Sequence, residues 1–210
     1  MKETTSKSGL AIVLSRLEGF SEPKVRQEQY MMDSEIGASV LWNACLLGDI
    51  RGKKVADLGC GTGMLGIGAL LMGAKQAYLA DNDEKALKTA TKNILKLKSE
   101  GYRLGKSELI AGDIGRLKIR ADTVLQNPPF GTKAAHSDIV FLEKALETAP
   151  VVYSFHKSET KGFLERFSGG KNAVITHAWD FKFPLKATFS FHRRQIHRID
   201  VSCLRIEAQK

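Results

Sequence analysis

Four polar residues mark where this chain could do chemistry. Asp57, Asp81, Asp113 and Asn127 each stand at the carboxyl end of a short apolar run. In a sheet of parallel strands such ends share one edge, and ligands bind along it. Asn127 opens the string Asn127-Pro128-Pro129-Phe130. Two prolines fix φ and remove two backbone donors, leaving carbonyl acceptors and one side-chain amide. An exocyclic amine such as adenine N6 donates two hydrogen bonds. The side-chain oxygen of Asn127 and the carbonyl of Pro128 would accept them. They would hold the nitrogen and build negative charge on it as it attacks a methyl group. Phe130 offers a flat face on which a flipped base could stack. The plain reading of the same string is a Pro-Pro turn in a surface loop.

Gly59-Cys60-Gly61-Thr62-Gly63 follows the first of these runs. Glycine lets a ligand approach the backbone closely. Gly61, Gly63 and Gly66 also fit G-x-G-x-x-G, with Asp81 about 20 residues on, as in a dinucleotide fingerprint. A nicotinamide dehydrogenase is therefore one reading, and a glycine turn serving packing alone is another. Asp57, just ahead of the loop, has no use beside a pyrophosphate. Directly or through water, it would favour a cationic amino-acid moiety. Together with the Asn127 turn, this turns the reading away from NAD.

These residues need elements to hold them, and the sequence supplies strands alternating with helices. Strands are expected at 54–58, 76–80, 108–111, 123–126, 151–155, 173–177 and 196–206, and helices at 8–17, 33–47, 65–72, 84–99, 139–147 and 158–167. Over 84–99, Leu87, Ala90, Ile94 and Leu97 share one face and Lys85, Lys88, Lys92 and Lys96 the other, with Asn82 and Asp83 as the cap. The alternation predicts an α/β domain, a mostly parallel seven-stranded sheet with helices on both faces. Residues 1–48 are read as an N-terminal helical extension of the same domain, and 49–210 as its main body.

Thirty-two Lys and Arg against 23 Asp and Glu leave a net charge of +9, which favours a polyanionic partner such as nucleic acid. Cys45, Cys60 and Cys203 show neither metal-ligand spacing nor a disulfide framework, and free thiols suit a reducing cytosol. The first 17 residues are no signal peptide, and no apolar stretch is long enough to span a bilayer. A cytoplasmic protein with no metal and no membrane partner is expected.

At these motifs the chain resembles the class I S-adenosylmethionine-dependent methyltransferases of the Asn-Pro-Pro-aromatic, amino-methylating group. It is most similar to the archaeal and eukaryotic family that methylates adenine N6 in small-subunit ribosomal RNA. The matching pieces are Glu28-Gln29-Tyr30, Asp57 to Gly63, Asp81, Asn127 to Lys133, Tyr153 to Ser158, and a basic tail from Phe189 to Arg194. The glycine loop is specific only to the superfamily, whereas the other strings are much narrower. The resemblance implies a Rossmann-like class I fold and S-adenosylmethionine as cofactor. It implies cofactor contacts from Gln29, Gly59, Thr62, Met64, Asp81, Asp113 and Ile114. Asp81 would take the ribose hydroxyls, and Asp113 the adenine amino group, with the Ile114 backbone beside it. Asp57, Gly61, Asn82 and Asn127 complete the candidate cofactor set, and Asn127, Pro128, Pro129 and Phe130 the catalytic one. The family often carries Pro-Thr after Glu-Gln-Tyr; here Met31-Met32 follow, so a hydroxyl at position 32 is missing. A small zinc-binding activator subunit is also implied.

His156 and Lys157 follow an expected strand and so fall on the active rim, where they could hold a phosphate or the target strand. Arg193 and Arg194, near Lys182, Lys186 and Arg198, are interleaved with Phe181, Phe183, Phe189 and Phe191. Basic residues among aromatics fit single-stranded nucleic acid, although the aromatics could equally be core. Protein glutamine N5-methylation is an alternative, disfavoured by the basic charge and by the lack of a large separate N-terminal domain. DNA adenine methylation would call for a target-recognition domain. A catalytically silent RNA-binding module would not need the intact Asn127 turn.

Overall fold

A computed structural model describes residues 2–21, 23, 29, 31–130, 137–185 and 197–209. Two helices come first, α1 (Lys7–Ser15) and α2 (Ser34–Leu46). Asp33 starts α2 by accepting from the Glu35 and Ile36 amides. The alternating body follows: β1 (Lys54–Leu58), α3 (Met64–Leu71), β2 (Gln76–Asp81), α4 (Glu84–Ser99), β3 (Lys106–Ala111), β4 (Thr123–Gln126), α5 (Ser137–Thr148), β5 (Val151–Lys157), α6 (Lys161–Gly170), β6 (Ala173–Leu185) and β7 (His197–Ala208). The strands form one sheet in the order β3-β2-β1-β4-β5-β7-β6. Its first five strands are parallel, and β7 runs antiparallel to both β5 and β6.

The residues explain the layers. α3 is buried along its whole length, because it is wedged between the sheet and α2. A Cβ on Gly68 would come within 2.3 Å of Leu41 Cδ1 on α2, so a larger residue there would have to push the Leu41 side chain aside. α4 buries Leu87, Ala90, Ile94 and Leu97 and turns its lysines outward; Asp83 caps it through the Lys85 amide. α1, α2 and α3 share one core with the buried face of α4, while α5 and α6 build a second core on the other face. Leu10 and Leu14 of α1 lie fully buried in the first core.

Strand order reverses between β1 and β4, the point where ligands bind in such sheets. The parallel register sets Leu58 opposite Gln126 and Leu58 opposite Ala80. Gly59, Asn127 and Asp81 therefore leave the sheet at one level. Several bounds differ from the sequence reading, α6 by starting at Lys161 rather than Ser158 and β3 at Lys106 rather than Glu108, and two differences bear on the site. β5 continues through Lys157 because β7 pairs with it there, His156 opposite Ser202 and Lys157 opposite Val201. β6 runs on to Leu185, which places Phe181 and Phe183 inside a strand.

Candidate active site

A cavity of about 330 Å³ opens at the switch point, between the glycine loop, the end of β2, the turn after β3 and the start of α5. The volume lies at the lower end of the range for small-molecule sites. Gly61 and Gly63 take φ of +53° and +91°, a left-handed conformation that side chains resist. With that curl the loop turns its amides inward. Gly61 N donates to Asp81 Oδ2 at 2.7 Å, and Asp83 N donates to Oδ1 at 2.8 Å. The Gly66 amide, in the first turn of α3, donates to Asp57 Oδ2 at 2.7 Å. Loop and carboxylates are thus built as one unit.

Burial shapes their charge. Asp57 is 2% exposed. Loss of water pushes its carboxyl up to about 7; the Gly66 amide pulls it down, and nearby Asp81 pushes it further up. Asp81 is raised as well, again chiefly by burial, against the pull of the Asp83 and Gly61 amides. Burial also lifts the Cys60 thiol, so this cysteine stays protonated and is no nucleophile.

The other expected cofactor residues gather on the same cavity. Gly59, Thr62, Met64, Asn82 and Ile114 line it, and so do Asp57, Gly61 and Asp81. Asp113 accepts from the Gly115 amide at 2.8 Å, which caps a 3-10 turn over Ile114–Arg116 and sets Ile114 against the cavity. Gln29 lines the wall near Asn82, and its amide donates to Asp83 Oδ2 at 2.8 Å. Met31 and Met32 line the cavity, so a thioether stands at position 32, where a hydroxyl was expected.

At the Asn-Pro-Pro turn, Asn127 and Pro129 face the cavity, while Pro128 is buried. Phe130 departs from expectation. It is 8% exposed and packs edge-to-face on Phe183 of β6, with ring centroids 6.0 Å apart at 85°. An apolar ring gains more from that core contact than from an open rim, so Phe130 is not a free stacking face. Phe183 is fully buried and half-buried Phe181 lies against Phe155, which makes both core residues rather than a nucleic-acid platform.

His156 is the second correction. It is 1% exposed inside β5, so it cannot meet a phosphate. Its Nε2 lies 2.7 Å from Ser154 Oγ, and its Nδ1 lies 3.6 Å from Asp138 Oδ2 on α5. The imidazole holds the Asp138 carboxyl below its usual range. Lys157, at the end of β5, is half-buried and reaches Glu159 at 3.9 Å. Glu28, Tyr30, Gly131 to Lys133, and the basic tail with Arg193 and Arg194 lie outside the described residues.

Among the cavity walls that sequence reasoning missed are Phe20, Val140 and Phe141. A Cβ on Gly59 would stand 2.8 Å from Phe141 Cε1, and one on Gly61 2.6 Å from Phe20 Cζ. The glycines themselves were the signal, since close approach of a ring is one reason for a residue without a side chain.

Strand order, glycine loop and Asn-Pro-Pro turn together define a Rossmann-like class I methyltransferase. The methyltransferase small domain family matches residues 32–152. The rRNA N(6)-adenosine-methyltransferase Mettl5 of Drosophila melanogaster is 32% identical over 200 residues, 92% of each chain. Its namesake in Danio rerio is 32% identical over 199 residues, 91% of this chain and 94% of that one. A Pyrococcus horikoshii protein provisionally described as an RNA methyltransferase superposes with a TM-score of 0.88 at 42% identity, over 97% of this chain and 98% of that one. The chain belongs to the methyltransferase small domain family and, within it, to the family of these N(6)-adenosine-methyltransferase relatives.

Proposed function

We propose that this enzyme transfers a methyl group from S-adenosylmethionine to the N6 amine of an adenosine in small-subunit ribosomal RNA. The observation that carries the reading is the place of Asn127. It leaves β4 beside Gly59 and faces the same cavity as the loop and Asp81. The cavity fits the donor. Asp81 offers carboxylate oxygens for ribose hydroxyls, Asp113 an acceptor for an adenine amine, and Ile114 and Phe141 apolar walls for a purine. Asp57, beneath the loop, lines the same cavity, and a cationic amino acid beside it would favour its charged form. When bound, the donor supplies an electrophilic methyl on a positively charged sulfur.

This chain's own residues do the rest. Asn127 Oδ1 and the Pro128 carbonyl accept from the target amine, fix its direction and raise its nucleophilicity. Apolar walls keep water from the methyl. The basic excess of +9 supports an RNA substrate. Arg193, Arg194 and Lys157 are assigned to RNA contact within the same reading. The family resemblance supports a small zinc-binding activator subunit as partner. Three thiols without disulfide bonds support a cytoplasmic setting, and among the described residues no helix is long and apolar enough to cross a membrane.

Labelled methyl transfer to total RNA from a strain lacking the gene, followed by nucleoside mass spectrometry, tests the reading. N6-methyladenosine is the expected product. Asn127→Ala should lower the rate by about 10²-fold or more, the scale of one lost preorganised contact. A methyl on a base carbon or ribose oxygen, or near-normal turnover by Asn127→Ala, would refute it.

A further inference from the structure

Asn93 sits on the buried face of α4 and is 0% exposed. Asparagine is a poor helix former, and a buried amide is costly unless its bonds are made. Here they are made, and to specific partners. Oδ1 accepts from Glu18 N at 2.8 Å, and Nδ2 donates to Glu18 O at 3.0 Å. Gripping both backbone groups of one residue fixes that residue's direction, as a strand partner would. The second Nδ2 proton goes to Thr62 O at 3.2 Å, in the middle of the glycine loop. One side chain therefore fastens the N-terminal arm to the loop. α4 adds two contacts just upstream: Lys96 Nζ donates to Arg16 O at 3.0 Å, and Glu100 pairs with the Arg16 guanidinium at 2.9 Å.

Two residues past Glu18, Phe20 lies over Gly61 and forms a wall of the cavity. Gly61 is the residue whose amide holds Asp81. Ring, loop and carboxylate are thus referenced to one another through Asn93. We propose that Asn93 and Phe20 set the affinity for the methyl donor, Asn93 by fastening residues 16–20 onto the glycine loop and Phe20 by closing the cavity that the fastened arm creates. Filling the cavity takes the exposed part of the ring out of water, so donor binding and arm docking stabilise each other. Asn93 is a positioning residue, acting through Phe20. The inference rests on the donor reading given above.

The test is calorimetry of S-adenosylhomocysteine on the full chain, its Asn93→Leu and Phe20→Ala variants and their combination. Each single change should weaken binding about tenfold, and the combination no more than either alone, because both remove the same wall. In turnover assays the KM for the donor should rise by the same factor. Loss of folded protein would instead lower the rate without moving KM. An additive loss of about a hundredfold in the combination would make Asn93 a packing residue and overturn the inference. So would single variants that bind within about twofold of the native chain. Should Asn93→Leu fail to fold, Phe20→Ala at the cavity surface decides alone, with unchanged affinity as the overturning result. If Asp81→Ala abolishes binding while Asn93 and Phe20 are silent, the donor reading stands and this inference falls. If the native chain does not bind, both fall.

Discussion

Asp57 shows how one residue ties stability to function. Its folded carboxyl titrates near 7 because burial disfavours the charge. In the unfolded chain it titrates near the ordinary value of about 3.9. Between those values the folded state holds the extra proton, so stability falls as pH rises from about 4 to about 7. Below about 4 the contribution is fully present, and above 7 it is lost. Raised Asp81 adds a contribution of the same sign. Asp57→Asn keeps a side-chain oxygen for the Gly66 amide and removes the titration. Urea unfolding across that pH range should show a shallower slope for the variant than for the native chain. Asp81 carries a second prediction. It holds the Gly61 and Asp83 amides and faces the cavity, so Asp81→Ala should weaken S-adenosylhomocysteine binding by about 1.5–3 kcal/mol, tenfold or more, read by calorimetry.

Between residues and molecule stand the elements, and β4 and β5 are joined by more than their ladder. Gln126 Nε2 donates to Ser154 Oγ at 2.9 Å, its register partner across the pair. Ser154 Oγ lies 2.7 Å from His156 Nε2, and the other ring nitrogen, Nδ1, faces Asp138 at 3.6 Å. This polar row ends at Gln126, the residue before Asn127, and at Asp138, two residues before the cavity wall Val140. It explains why β5 carries a histidine where solvent does not reach. His156→Phe would remove one of the two hydrogen-bond partners of the buried Ser154 hydroxyl and should cost about 1–3 kcal/mol of stability, seen as a lower denaturation midpoint. RNA affinity measured well below that midpoint should not change. Weaker RNA binding at unchanged stability would return His156 to the rim.

For the whole molecule, the question is what joins the first strand to the last. Asp49, in the turn before β1, accepts from Arg205 Nε of β7 at 2.8 Å and from the Tyr153 hydroxyl of β5 at 2.6 Å. Its backbone carbonyl accepts from Thr123 of β4 at 2.7 Å. Arg205 is raised by the Asp49 carboxylate and so stays charged in the interior. Removing Asp49 leaves Arg205 Nε and the Tyr153 hydroxyl buried without their acceptor, with Glu207, 2.6 Å from Arg205 Nη1, as the remaining countercharge. Asp49→Ala should cost about 3 kcal/mol, a drop in Tm of roughly 10 °C for a chain of this size, measured by calorimetry. Charge also acts at this scale. RNA binding should weaken steeply with salt, and Arg193→Ala with Arg194→Ala should flatten the salt slope by about one or two contacts. An unchanged slope would assign these arginines to solvated surface.

Read along the chain, the strands that end at Leu58, Asp81 and Gln126 are legible because short apolar runs stopped by glycine, by proline or by a polar cap are local signals. The helix over Glu84–Ser99 is legible for the same reason: its lysine and leucine faces repeat within one segment. The Asn-Pro-Pro turn declares its chemistry because two prolines leave few conformations and few donors. Tertiary structure decided what depends on distant partners. β5 passes through His156 only because β7 lies beside it, 46 residues later in register, and that pairing turns an expected RNA contact into a buried link. Phe130 is drawn from the rim by Phe183, which no local pattern connects to it. Asn93 reads as one polar residue on a helix until the fold brings Glu18 and Thr62 to its amide. Local sequence sets backbone preference and face, whereas burial and hydrogen-bond partners are properties of the assembled sheet.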